Sequence, residues 1–234
     1  CCDNICYSGV ADIFRLSKFS LSFFRTQIAE GSMLPSGKMP YEVFIPAYRD
    51  EILSDTVMVY GNVDEVELVL NGKTIRRQTA DKGPDSDYIP VPNGGNGKNL
   101  HFPPFTFYGV PKERGVLKAV GYHQGKKVAE YTVKTPGVPE RLDITYFESG
   151  KPATKNDLLI VYVRMLDKQG VLCPVNGIPV ELSVQGGEIV GPTSYPLEAG
   201  VASFLVRTGE ISKININATG KGFSTRKSLK VGKE

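Results

Sequence analysis

The stretch VYGNVDEVELVLNGK, residues 59–73, decides the fold class of this chain. Val66, Leu68 and Leu70 alternate within it with Glu65, Glu67 and Val69, the two-residue period of a strand with one buried face. Asn71-Gly72 follows, the dipeptide most typical of a two-residue hairpin turn. We therefore predict a β-hairpin whose second strand runs from Lys73 to Arg77.

The same period recurs on both sides of that hairpin. The further predicted strands are Tyr41–Ile45, Thr56–Tyr60, Phe105–Phe107, Val116–Tyr122 and Lys127–Lys134. Gln124-Gly125 predicts a second tight turn between the last two of these. About seven strands within about 95 residues is the count of an immunoglobulin-like β-sandwich, which we place at residues 41–135.

A proline-rich boundary, Thr135-Pro-Gly-Val-Pro139, ends this series, because proline cannot continue a hydrogen-bonded ladder. Alternating apolar residues then define a second series: Leu142–Tyr146, Leu159–Met165, Val180–Val184, Ala202–Val206, Ile214–Ala218 and Ser228–Val231. We predict a second immunoglobulin-like (invasin-like) sandwich over residues 136–234. The expected fold class is all-β, with two tandem sandwiches and a short N-terminal helical segment.

Residues 1–40 differ from the rest of the chain. SKFSLSFFRTQ, residues 17–27, predicts a short helix with Ser17 as its N-cap. Phe19, Phe23 and Phe24 make this helix too apolar to stay exposed. We expect these rings to fold back on the first sandwich or to join one chain to another, and residues 31–40 to be a linker.

Composition bounds the function classes. The 234 residues carry 28 basic and 25 acidic side chains, a net charge of +3, scattered without a dense basic run, which argues against nucleic acid as a partner. The basic residues after Lys221 are interpreted as the wet face of a last strand. No apolar run approaches the 18 residues of a membrane span.

The ends and the cysteines leave alternatives open. The chain opens Cys1-Cys2 without an initiator Met, which suggests a processed or excised piece, with lipidation of Cys1 as the less favoured alternative. Spacing gives no zinc motif among Cys1, Cys2, Cys6 and Cys173, and their redox state stays open. We expect no metal and no cofactor.

No constellation of catalytic residues is recognisable. Asp64, Glu65 and Glu67 form the densest carboxylate group. Because Glu65 and Glu67 alternate with Val66 and Leu68, we expect these two to point to solvent with ordinary pKa values, which suits acid catalysis poorly. The two histidines, His101 and His123, lack a nucleophile motif, and we interpret His123 as an exposed turn residue. We predict no catalytic residue and expect the fragment itself to be inactive.

Two candidate ligand features lie in or next to the long loop at 81–100. Its oxygen-bearing residues could hold Ca²⁺, although a solvated loop is favoured: Asp81, Asp85, Asp87, Asn93, Asn96 and Asn99. Tyr88 and Phe102 are our candidate sugar-stacking platform. Phe105 and Phe107, by contrast, alternate as core residues.

Several stretches resemble the C-terminal part of family 2 glycoside hydrolases of the β-galactosidase type. Residues 9–19 (GVADIFRLSKF) and 23–27 (FFRTQ) resemble the end of their catalytic (β/α)₈ barrel. Residues 43–48 resemble the strand that opens the next domain, although Arg49 stands where the family commonly has Trp. The most specific match is residues 59–73, continued by 103–107 and 115–122, whereas residues 140–232 resemble a further immunoglobulin-like or invasin-like domain.

This resemblance implies a role in carbohydrate degradation. The two catalytic glutamates of the family would lie upstream, on a barrel that needs about 200 residues or more. Residues 1–40 would be the barrel's tail and linker, and the sandwiches would be non-catalytic accessory domains that buttress the barrel. The implied partners are that barrel and an oligosaccharide. Self-association would occur through Phe19, Phe23 and Phe24. The implied location is periplasmic or extracellular.

Two rival functions remain. One is a stand-alone carbohydrate-binding module that uses Tyr88 and Phe102. The other is a structural, adhesin-like tandem sandwich, which leaves the barrel-like segment 9–27 unexplained.

Overall fold

The computed structural model describes residues 9–47, 54–81, 100–147 and 152–232. The regular secondary structure of these residues is almost entirely β-strand, with one short helix, which confirms the all-β class. The chain divides into two compact units, Cys1–Thr135 and Pro136–Glu234. In each unit, two larger antiparallel sheets enclose a core of apolar side chains.

Seven strands form the two sheets of the first unit. They are β3 (Val43–Phe44), β4 (Val57–Gly61), β5 (Glu65–Leu70), β6 (Lys73–Thr79), β7 (Phe105–Phe107), β8 (Val116–His123) and β9 (Lys126–Lys134). One sheet has the order β3-β4-β7 and the other the order β6-β5-β8-β9. The predicted strand positions are confirmed, with ends that differ by a few residues.

The core of the first unit comes from the alternating positions. Val66, Leu68 and Leu70 of β5 are buried, whereas their neighbours Glu65 and Glu67 are half-buried. From the other sheet come further buried side chains: Val57, Val59, Phe105 and Phe107. Burying such side chains contributes roughly 1.5–3 kcal/mol each, so this alternation is the main force that pairs the two sheets.

Positive-φ turns close the tightest hairpins. Asn71 and Gly72 have φ values of 51° and 80°, and Gln124 and Gly125 have 48° and 76°. Positive φ at both central residues matches the twist of the flanking strands. Both predicted turns are confirmed, and Lys221-Gly222 closes a third hairpin in the same way, with 50° and 80°.

Eight strands form the two sheets of the second unit. They are β10 (Arg141–Tyr146), β11 (Leu158–Leu166), β12 (Pro179–Gln185), β13 (Gly187–Ile189), β14 (Ser194–Pro196), β15 (Val201–Thr208), β16 (Lys213–Gly220) and β17 (Phe223–Lys230). The sheets have the orders β10-β11-β15-β13 and β14-β12-β16-β17. The short β13 and β14 add to the series predicted from apolar alternation, because three residues are too few to show a period.

The N-terminal segment holds two differences from expectation. The helix α1 spans Phe19–Thr26, and its N-cap is Lys18, without a side-chain cap. Ser17 as N-cap was wrong, because Ser17 is paired with Ala11 in an antiparallel bridge before the helix begins. The predicted linker contains a small hairpin, β1 (Met33–Leu34) with β2 (Gly37–Lys38).

Candidate functional site

The first unit is distinguished by polar anchors that hold its N-terminal segment against the sandwich. Asn62, only 3% exposed, is the central one. Its Nδ2 donates to the carbonyl oxygens of Ile28 and Pro40, both at 3.0 Å, and its Oδ1 accepts from the backbone N–H of Glu42 at 2.6 Å. One buried amide thus uses two donors and one acceptor to tie two chain segments to the end of β4.

Two further anchors connect the C-terminal end of the helix to the rest of the first unit. The guanidinium of Arg25 forms an ion pair with Glu42, with Nε 3.1 Å from each carboxylate oxygen. The side-chain amide of Gln27 donates to the carbonyl of Phe102 at 3.0 Å and accepts from its N–H at 3.1 Å. Helix α1 is therefore fixed at its C-terminal end, by Arg25 in its last turn and by Gln27 at its C-cap, and a helix this short depends on such contacts.

Aromatic contacts complete the docking. The Phe19 ring lies edge-on to Phe44, with centroids 5.6 Å apart, and the Phe23 ring lies edge-on to Tyr60 at 5.0 Å. The prediction that the helix folds back on the first sandwich is confirmed. Phe24, in contrast, remains 55% exposed, and association between chains stays a prediction.

Further exposed apolar side chains lie in the same N-terminal segment. Ile13 is 74% exposed and Met33 is 73% exposed, and both values exceed the 55% of Phe24. A docked segment would be expected to bury such side chains if the sandwich were its only partner. The segment thus has one face fixed to the sandwich and apolar side chains presented to solvent.

The carboxylates of β5 are held by hydrogen bonds. The backbone N–H of Gln124, at 2.8 Å, and the His123 ring lower the pKa of Asp64. The hydroxyls of Thr74 and Tyr122 lower the pKa of Glu67, at 2.6 and 2.7 Å. An ordinary pKa was therefore a wrong expectation for Glu67, and the lowered pKa values of both carboxylates suit a proton-donating catalyst even less.

Glu65 and Tyr122 belong to the same surface cluster. Arg77 donates to Glu65 at 2.5 Å, and its guanidinium lies 3.7 Å above the centre of the Tyr122 ring. One face of this tyrosine is therefore covered by a cation, which removes that face as a sugar platform. The cluster binds β5, β6 and β8 together on the outside of the sheet.

His123 is not simply an exposed turn residue. Its Nδ1 lies 3.0 Å from Oδ1 of Asp64, and its ring stacks on Tyr41 with centroids 5.0 Å apart. Burial, together with the carboxylates of Glu30 and Asp64, raises the pKa of Tyr41. No hydroxyl or thiol nucleophile is placed against this histidine in the described residues, so the geometry is that of a structural pair.

The predicted sugar platform is placed only in part. Tyr88 lies outside the described residues. Phe102 is half-buried, with its backbone held by Gln27 and the His101 ring edge-on at 4.5 Å. Its role in binding sugar stays a prediction. Phe105 and Phe107 are core residues, as predicted.

The predicted calcium alternative reaches the described residues only through Asp81. Its two oxygens accept from the backbone N–H and the hydroxyl of Thr106, at 3.2 and 2.5 Å. Among the residues described, no group of three His, Cys, Asp or Glu side chains could hold a metal ion. In the same part of the chain, no helix has the length and apolar character needed to cross a membrane.

Of the four cysteines, Cys173 alone lies in the described residues. Its thiol is buried, and burial with the nearby Asp167 carboxylate raises its pKa. Asp167 is itself 2% exposed, and it accepts from the N–H groups of Gly137 and Val171 at 2.7 and 2.8 Å. Such a thiol is inert, so it marks a core position.

Comparison with known proteins identifies the family. Residues 54–129 match the model of a family described as a domain of unknown function, DUF4982. A β-galactosidase from Thermoanaerobacter pseudethanolicus is 32% identical over 88% of this chain and 27% of its own length. A β-galactosidase from Rhizobium radiobacter is 30% identical over 54% of this chain and 92% of its own length.

The chain belongs to glycoside hydrolase family 2. It corresponds to a C-terminal region of such a protein, and it spans 27% of the length of the Thermoanaerobacter relative. The solved structure of a family 2 β-glucuronidase has the same fold, with a TM-score of 0.75 and 21% identity, over 97% of this chain and 23% of that protein. The resemblance read from residues 59–73 is thereby confirmed.

The anchoring residues of this family 2 region were missed by the sequence analysis. Asn62, Arg25, Gln27 and Glu42 were not singled out. An asparagine between two buried strands is a weak signal, because its partners Ile28 and Pro40 are far away in the sequence.

Proposed function

We propose that this chain is the non-catalytic accessory region of a family 2 glycoside hydrolase that degrades carbohydrate. In this role the first sandwich supports the catalytic barrel through the segment that carries α1. The observation that carries the proposal is the docked helix, fixed to the sandwich by Asn62, Arg25 and Gln27 while Phe24 stays exposed.

The chemistry of the carboxylates supports the non-catalytic part. Glycoside hydrolysis needs one carboxyl group with a raised pKa as the acid and a second as base or nucleophile. The pKa values of Asp64 and Glu67 are lowered instead, and their oxygens are occupied by hydrogen bonds within the surface cluster. These groups serve the sandwich rather than a reaction.

The supporting role is tested in a longer protein that joins this chain to the upstream sequence of its own gene. Phe24→Asp should lower the thermal midpoint of that protein by at least about 5 °C, because it buries a charge at the contact. The same change in the present chain should leave the midpoint unaltered.

Val138→Asp is the matched control, because Val138 is 82% exposed on the second unit. It should leave both midpoints unchanged. Equal midpoints for Phe24→Asp and the unmodified longer protein would contradict a contact at this face.

A further inference from the structure

One outer sheet face of the second unit has an unusual set of side chains. In β12, β16 and β17 the residues that point away from the core are mostly amides and hydroxyls: Ser183, Gln185, Asn215, Asn217, Thr219, Ser224 and Ser228. The charged residues on this face are Lys213, Arg226, Lys230 and Glu181, three cations against one carboxylate. We call these eleven residues the cationic face.

The cations of this face are not neutralised internally. Elsewhere in the unit Arg164 is paired with Asp143, Arg207 with Glu188 and Lys155 with Glu210. Lys213, Arg226 and Lys230 have no carboxylate within ion-pair distance in the described part of the chain. Their charge is therefore available to an external anion.

Two cations also face each other directly. Lys213 and Lys230 are register partners in the antiparallel pair of β16 and β17, and both side chains are exposed. Like charges at such positions repel each other and destabilise the sheet unless an anion lies between them. The repulsion between Lys213 and Lys230 therefore destabilises the free chain, and a bound anion would remove this repulsion.

The cations of the cationic face are not explained by the need to protect a sheet edge from pairing with another chain. Lysines on an edge strand prevent pairing with another chain, and β17 is an edge strand. Lys213, however, is on β16, which lies between β12 and β17. The comparable outer face of the first unit also differs, since Glu130 there pairs with Lys118 and Lys127.

We propose that the cationic face binds an anionic polysaccharide, one whose sugars carry carboxylate or sulfate groups. The amides and hydroxyls can exchange hydrogen bonds with sugar hydroxyls, while Arg226 and the two lysines contact the anionic groups. Lys221 is exposed at the hairpin turn before β17, and β17 itself extends for about 23 Å over seven residue steps, so exposed cations lie at both of its ends.

The choice of a polysaccharide over a nucleic acid rests partly on the proposed function. It also has support in the face itself, because single-stranded nucleic acids are usually bound by stacking on aromatic rings. None of the eleven residues of the cationic face is aromatic, and Phe223 points to the other side of β17.

The test is isothermal titration of this chain with polygalacturonate at about 50 mM salt, where screening is weak. The triple variant K213Q/R226Q/K230Q should bind at least about tenfold more weakly than the unmodified chain. K118Q/K127Q/K155Q is the matched control, because it also removes three positive charges, but from residues that are already in ion pairs. It should change affinity less than about twofold.

Each other result overturns the inference. Equal loss in both variants would mean that net charge alone attracts the polymer, and binding of neutral dextran as tight as that of polygalacturonate would exclude charge recognition. Tighter binding of single-stranded DNA would assign the face to nucleic acid. No binding of any polymer would refute the site while leaving the supporting role, which is tested through Phe24, unaffected.

Discussion

At the scale of single residues, Asn62 links the N-terminal segment to the sandwich. Its side chain is nearly fully buried and uses two donors and one acceptor on three separate backbone groups. A buried polar group is tolerated only when its hydrogen bonds are made, and its removal leaves the partners unsatisfied.

Asn62→Ala should therefore lower the free energy of unfolding by about 2–3 kcal/mol, because two carbonyls and one N–H lose their partner. Chemical denaturation of the whole chain measures this value. Thr132→Ala, at an exposed position of β9, is the control and should stay within about 0.5 kcal/mol. A similar small change for Asn62→Ala would show that the segment is not held by this residue.

Asp167 gives the second unit a defined dependence on pH. Burial alone would raise its pKa, but the backbone N–H groups of Gly137, Val171, Gln169 and Gly170 together lower it. Because the folded state then binds a proton less readily than the unfolded state, the stabilisation is present above the unfolded pKa of about 4. It is lost as pH falls from there through the lower folded pKa.

Asp167→Asn should accordingly destabilise the chain at pH 7 by about 1–3 kcal/mol, since an amide accepts fewer of these hydrogen bonds. It should also lose less stability than the unmodified chain between pH 5 and about pH 3. Scanning calorimetry across this range compares the two proteins. Parallel pH profiles would mean that Asp167 does not carry the dependence.

At the scale of secondary structure, the docking of α1 is shown by the different environments of the adjacent rings of Phe23 and Phe24. Phe23 packs on Tyr60, whereas Phe24 is 55% exposed. The helix has only eight residues and depends on tertiary contacts for its stability.

Phe23→Ala should therefore release the helix and raise the rate of tryptic cleavage after Arg25 at least about tenfold, which corresponds to about 1.4 kcal/mol of lost docking energy. Phe24→Ala removes the same ring from the neighbouring position and should keep the rate within about twofold. Equal rates for the two variants would contradict the observed orientation of the helix.

Several long strands could be predicted from sequence because buried residues alternate with more exposed ones along them, as in β5, β12, β15 and β16. Hairpins with Asn-Gly or Gln-Gly were predictable for the same local reason. The short β1, β2, β13 and β14 could not be predicted, since two or three residues show no period. Ser17 was placed wrongly because its bridge to Ala11 depends on a preceding turn.

At the scale of the whole molecule, the parts of the candidate site that could not be predicted are those made by distant residues. Gln27 meets Phe102, 75 positions away, and Asn62 meets Ile28 across 34 positions. The lowered pKa values of Asp64 and Glu67 also depend on side chains from other strands. Local alternation contains no information about such pairs.

The central claim is that this chain supports a glycoside hydrolase without catalysing hydrolysis itself. It is tested most directly by measuring the hydrolysis of a panel of chromogenic aryl-glycosides by this chain and by the longer protein described above. We predict no turnover by the chain and clear turnover of at least one glycoside by the longer protein. Turnover by the chain alone, abolished by Asp64→Asn or Glu67→Gln, would contradict the claim.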